Sequence, residues 1–202
     1  MTKRVKPIPG FRHPERGMTL VEMIVVMVIS TLLIMISALG IGLFLRKYKE
    51  LNAWAELQKE AWECLSTIKN GVPVGTGLNT EFIGVTNALQ LRLMNTATNS
   101  GTYLRITPPS DRGLNTSEYA LFYLYDGAVR CSYLHKGYQP ATPLYLFPTK
   151  KNKDKIIVDK FLITKINREQ DLLAIQVELE GRVKTGTNNF RKVKFKTKMV
   201  KK

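Results

Sequence analysis

Residues 16–45 read Arg16-Gly17-Met18-Thr19-Leu20-Val21-Glu22 and then MIVVMVISTLLIMISALGIGLFL, and this stretch decides the fold. From Met23 to Leu45 no residue carries a charge. About 20 apolar residues are enough to cross a bilayer as a helix. The competing reading is a helix buried in a soluble core, but such helices seldom run this far without a polar face. Ahead of the apolar run, residues 1–17 (MTKRVKPIPGFRHPERG) carry Lys3, Arg4, Lys6, Arg12 and Arg16 against Glu15. Pro7, Pro9 and Pro14 make this leader a poor helix. An ordinary secretory signal places its small-residue cleavage site after the apolar core. Here the small residue, Gly17, comes before it, and Arg46, Lys47 and Lys49 follow. A cut after Gly17 removes the basic leader and leaves the apolar helix at the new N-terminus.

Basic leader, Gly17, an acid at Glu22 and a retained apolar helix together resemble the signal of type IV prepilins and type II secretion pseudopilins. The resemblance implies that a membrane peptidase cuts after Gly17 and N-methylates Met18. Glu22 then becomes the fifth mature residue. The usual first mature residue of the family is Phe, and Met18 departs from it. A carboxylate at the centre of a membrane helix costs on the order of 2.5–3.5 kcal/mol, and less toward an end, where Glu22 lies. The resemblance implies a counter-ion for it: the amine created at Met18, in the same or a neighbouring subunit. The alternative is a carboxylate at the membrane surface that reaches for headgroup water.

Beyond the span, Leu51, Trp54, Leu57, Ala61, Leu65 and Ile68 recur at helical intervals with Glu50, Lys59, Glu60 and Glu63 between them. This predicts an amphipathic continuation over 46–70, ended by Gly71 and Pro73. Gly40 and Gly42 fall within the apolar part, where glycine is tolerated or lets helices approach closely. Residues 71–80 read as a loop, after which a two-residue period takes over. Strands are predicted around Leu89–Leu93, over Thr102–Thr107, Leu144–Phe147, Ile156–Ile166, Leu172–Leu179 and Phe190–Val200. Tyr119–Tyr125 and Val129–Leu134 flank Asp126-Gly127, a hairpin turn signal. Lys150–Lys155 reads as a charged turn, and Gly181 and Gly186–Asn189 as punctuation. The expected architecture is α+β and pilin-like: a leader (1–17), a membrane or filament-core helix (18–45), its amphipathic half (46–70) and an antiparallel β domain (71–202). Tyr119–Arg130 further resembles the Y-x-L-x-D-G-x-L-x-R hairpin of PilW/J-type minor subunits.

Composition narrows the function. Two cysteines exclude a disulfide-stapled mini-fold, and two distant histidines, His13 and His135, leave little for a metal site or a triad. No nucleophile–base pair, phosphate loop or metal-ligand spacing is present, so neither an enzyme nor a cofactor is expected. Asp126 is explained as turn chemistry, and Glu178 and Glu180 as the wet face of a strand. Cys64 and Cys131 could pair in an oxidising compartment, but two separate buried thiols are favoured. The chain carries 31 Lys+Arg against 16 Asp+Glu, a net charge of +15. Lys192, Lys194, Lys196 and Lys198 alternate along the last strand, either as a nucleic-acid patch or as a solvated face that blocks edge pairing. The solvated face is favoured, since no aromatic interleaving is evident.

The resemblance implies a minor pilin or minor pseudopilin of a type IV pilus or type II secretion pseudopilus. Its partners would be other pilin subunits, the prepilin peptidase, an assembly ATPase and the inner-membrane platform. It implies a bacterial inner-membrane protein with one span and residues 46–202 outside the cytoplasm; charge counting does not fix this orientation, because both flanks are basic. A DNA-uptake pilin, or a signal-anchored enzyme or binding protein, are the rival readings.

Overall fold

The computed structural model describes residues 18–75, 80–94, 99–109, 117–167, 173–185 and 189–202. The leader 1–17, Leu172 and residues 186–188 lie outside them. The chain divides into two compact units, Met1–Lys47 and Tyr48–Lys202. A single helix, α1 (Leu20–Asn70), contributes to both.

In the first unit the helix stands bare. Leu20, Ile24, Leu32, Ile34, Leu39 and Leu43 are all exposed, as are the other large apolar residues up to Leu45. Two of its hydroxyls bond back to the helix: Thr31 Oγ1 donates to the Met27 carbonyl at 2.7 Å and Ser37 Oγ to that of Leu33 at 2.7 Å. A helix whose exposed surface is this apolar suits lipid or other apolar helices better than water.

In the second unit the remaining turns of α1 bury Leu57, Glu60, Ala61, Cys64, Leu65 and Ile68, with Ala53 and Trp54 packed beside them. The expected stripe is corrected at two points. Leu51 is exposed, so the buried face begins later, and Glu60, read as solvent-facing, is buried. The helix ends where glycine lets it: Gly71 has φ +115° and donates its N–H to the Thr67 carbonyl at 2.9 Å.

Among the described residues three antiparallel sheets follow, where one was expected. A two-stranded ribbon joins β1 (Val72–Val74) to β2 (Glu81–Ile83), which corrects the loop reading of 71–80 at Val72–Val74. Its crossing is tight, because a Cβ on Gly84 would lie 2.3 Å from the Gly71 nitrogen. A five-stranded sheet runs in the order β3 (Gln90–Met94), β5 (Tyr103–Thr107), β6 (Tyr119–Tyr125), β7 (Ala128–Leu134), β8 (Leu144–Phe147). A four-stranded sheet runs β11 (Phe190–Val200), β10 (Ala174–Lys184), β9 (Ile156–Lys165), β4 (Ser100–Gly101). The β6–β7 hairpin turns on Asp126 at φ 50° and Gly127 at φ 66°, both left-handed, as its dipeptide demands. Strand β10 runs through Gly181 instead of stopping before it. The register shifts between Glu180 and Gly181, and a Cβ there would lie 2.6 Å from the Phe147 ring. Gly181 is therefore a packing position against Phe147, not a strand breaker.

One core unites helix and sheets: Leu57, Ala61, Cys64, Leu65 and Ile68 from α1, with Phe122, Phe147, Phe161, Ile163, Ile175 and Leu179 from the strands. Each fully buried large side chain contributes about 1.5–3 kcal/mol. A polar latch reinforces it. The Glu60 carboxylate accepts from the Thr149 N–H at 2.9 Å, the Thr149 hydroxyl at 2.8 Å and the Asn152 amide, which also donates to Glu56 at 2.8 Å. On the outer face of the four-stranded sheet, Glu178 is also buried, another correction. It lies 2.7 Å from Lys160 Nζ and 3.0 Å from Lys196 Nζ. Bonds from Lys160 and then Lys196 bring its carboxyl down to about 2. Lys194 meets Glu180 at 2.7 Å. Two of the four lysines in the alternating row are thus matched by carboxylates on the neighbouring strand.

Glu60→Ala strands buried donors on Thr149 and Asn152 and should cost about 2–3 kcal/mol in urea unfolding, whereas Glu60→Gln should cost less. The Glu178 contribution has a defined pH window. Its folded pKa lies below the ordinary value of about 4.3, so its stabilisation is complete above that pH and fades as pH falls toward about 2. Unfolding curves of Glu178→Gln should lose that part of the acid dependence; an unchanged profile would show that the lysine pair contributes nothing.

Candidate processing and assembly site

The start of α1 is built by a reciprocal pair. Thr19 is the N-cap: its carbonyl accepts the first helical bond, from the Met23 N–H at 3.1 Å. Its hydroxyl accepts from the Glu22 N–H at 3.3 Å. The Glu22 carboxylate in turn accepts from the Thr19 N–H at 2.8 Å and the Thr19 hydroxyl at 3.0 Å. This is a capping box, in which a Thr and a Glu three residues later satisfy donors at the helix start that no turn of helix reaches. An acid in the first turn also complements the positive end of the helix dipole.

The geometry gives Glu22 a definite direction. Its carboxylate is folded back toward the chain start, onto the amide of Thr19, one residue from the Met18 nitrogen. Met18 is exposed, and Gly17 lies outside the described residues. Thr19 is the functional residue that sequence reasoning passed over, although the T-x-x-E spacing before an apolar run signals it.

The remaining candidates lie elsewhere. Cys64 and Cys131 are both buried with free thiols. Burial raises both, Cys131 to about 12; at Cys64 repulsion from Cys131 adds to it. Neither is a reactive thiolate near neutral pH. Asp126 is exposed in its turn and held ionised by Lys153 at 2.7 Å, with Arg130 at 3.3 Å. Among the described residues no group of histidine, cysteine or acid side chains could hold a metal ion.

Replacing Thr19 by Val keeps the shape and removes the cap. Such a loss costs about 1 kcal/mol, so amide exchange at Glu22 in detergent micelles should speed roughly fivefold.

No curated protein and no solved structure matches the chain. Residues 12–38 match the prokaryotic N-terminal methylation motif, the prepilin-type signal, and the match overlaps the start of α1, a helix long and apolar enough to cross a membrane.

Proposed function

We propose that the chain is a minor pilin or minor pseudopilin of a type IV pilus or type II secretion pseudopilus, of the PilW/J type, with a structural role and no catalysis. The observation that carries this reading is the pairing of a methylation motif with a helix whose large apolar residues from Leu20 to Leu45 are exposed among the described residues. The peptidase cuts between Gly17 and Met18 and methylates the new amine. The helix stays in the inner membrane, with residues 46–202 outside the cytoplasm, until the assembly platform moves it into a filament. There its hydrocarbon is covered by the helices of other subunits. Glu22 sets the register, because its carboxylate must meet an amine in an apolar setting. The capping box supports this role by keeping the carboxylate at the end of the helix where that amine arises.

Mass spectrometry of native protein should find an N-terminus at Met18 carrying one methyl group; material beginning at Met1 beside an active prepilin peptidase overturns the reading in favour of a signal anchor. Glu22→Gln separates the two duties of this side chain. Gln still closes the capping box but carries no charge. The variant should be cleaved normally and be depleted at least about tenfold from sheared filaments, as loss of a low-dielectric ion pair demands. Normal incorporation would show that the charge has no part in assembly.

A further inference from the structure

Strand β11 is an edge. β10 pairs with one side of it, and among the described residues no strand pairs with the other. An edge as long as Phe190–Val200 offers a row of backbone N–H and C=O groups to a further strand. Just past its end the Lys202 N–H donates to the Thr86 carbonyl at 3.2 Å, which closes the edge there. Next to the open side lies a groove lined by Trp62, Leu65 and Lys69 of α1 and by Phe195, Thr197 and Met199 of β11. No residue of β10 and no acid lines it. From Leu57 onward the other large apolar residues of α1 are buried, yet Trp62 is 65% exposed, with its ring 6.5 Å from that of Phe195. The opposite face of β11 carries the lysine row. Lys194 and Lys196 meet Glu180 and Glu178. Lys192 and Lys198 are exposed and stand opposite Arg182 and Gln176, and Arg182 is itself engaged by Asp159 at 3.0 Å. Neither Lys192 nor Lys198 meets a carboxylate among the described residues.

We propose that β11 takes an added strand from a partner protein, an extended segment in which acidic residues alternate with apolar ones. The open edge makes different demands on its two faces: negative charge over Lys192 and Lys198, and hydrocarbon over Trp62 and Phe195. Successive side chains of an extended strand point to opposite faces, so strict alternation meets both demands at once. The segment's backbone continues the ladder, and its alternate side chains give specificity. A second copy of β11 does not fit, because its lysines would oppose lysines. The row that repels neutral and basic edges therefore selects an acidic one. Docking of this kind goes beyond the pilin reading and needs neither cleavage nor filament assembly, since it is measured on the purified chain.

The test is fluorescence anisotropy of a labelled peptide of alternating glutamate and valine, as long as β11, with the full chain in detergent micelles. The unlabelled peptide should also shift tryptophan emission to the blue as it covers Trp62. A peptide of the same composition, with its glutamates and valines in two blocks, keeps the charge but not the alternation. It should bind about tenfold more weakly, as the loss of several cross-strand pairs demands. Methylating the backbone amides of the alternating peptide removes the pairing bonds and should cost about tenfold or more. Lys192→Glu with Lys198→Glu changes exposed side chains and should reverse the preference, so that a lysine–valine peptide binds better than the glutamate–valine one. Trp62→Ala should abolish the emission shift. Docking is overturned by an absence of binding, by equal binding of the blocked or methylated peptide, by an unchanged preference in the lysine variant, or by an emission shift that survives Trp62→Ala.

Discussion

The large apolar side chains exposed from Leu20 to Leu45 are unfavourable in water, and this is the constraint on which the chain's design turns. Among the described residues of the first unit nothing covers Met23 through Leu45. Burying that surface in lipid, or against other helices, is the step that makes the chain stable where it works. The requirement also explains why charge is scarce there. Glu22 is the sole ionisable side chain from Met18 to Leu45, and it is placed at the end where a carboxylate is least costly.

The same helix changes character after Lys47. Its apolar side narrows to the stripe from Leu57 to Ile68, and the sheets supply the complementary surface. Glycine settles two of the closest contacts: Gly181 admits the Phe147 ring, and Gly84 admits the helix terminus at Gly71. The outer surfaces of the two large sheets then diverge. One carries a row of lysines of which Lys194 and Lys196 are matched by Glu180 and Glu178; the other is a stacked array of tyrosines and arginines with no carboxylate in its central rows.

Much of this was written locally in the sequence. The helix shows in its uninterrupted apolar run, the hairpin in Asp126-Gly127, and β11 in the strict alternation of lysine with apolar or small residues. What was hidden depends on partners distant in the chain. Val72–Val74 has little character as a strand until Glu81–Ile83 pairs with it. Gly181 reads as a break because nothing nearby reveals the ring it must admit. Glu60 and Glu178 look wet by type, but their donors and cations come from Thr149 and Asn152, and from Lys160 and Lys196. The tyrosines of β6 alternate visibly, whereas their arginine partners sit on β5 and β7, and only the sheet order brings them together. At the chain start the acid was legible, but its bond to Thr19 was not weighed, although the spacing displays it.

The Glu60 latch has a mechanical consequence. Tension applied along α1 would load the bonds from Thr149 and Asn152 together with the apolar contacts from Leu57 to Ile68. Bonds loaded in parallel must fail together, whereas a frayed end would peel one turn at a time. By grasping the helix near the start of its buried stretch, the latch holds the turn that would otherwise fray first and makes detachment of the helix a cooperative event.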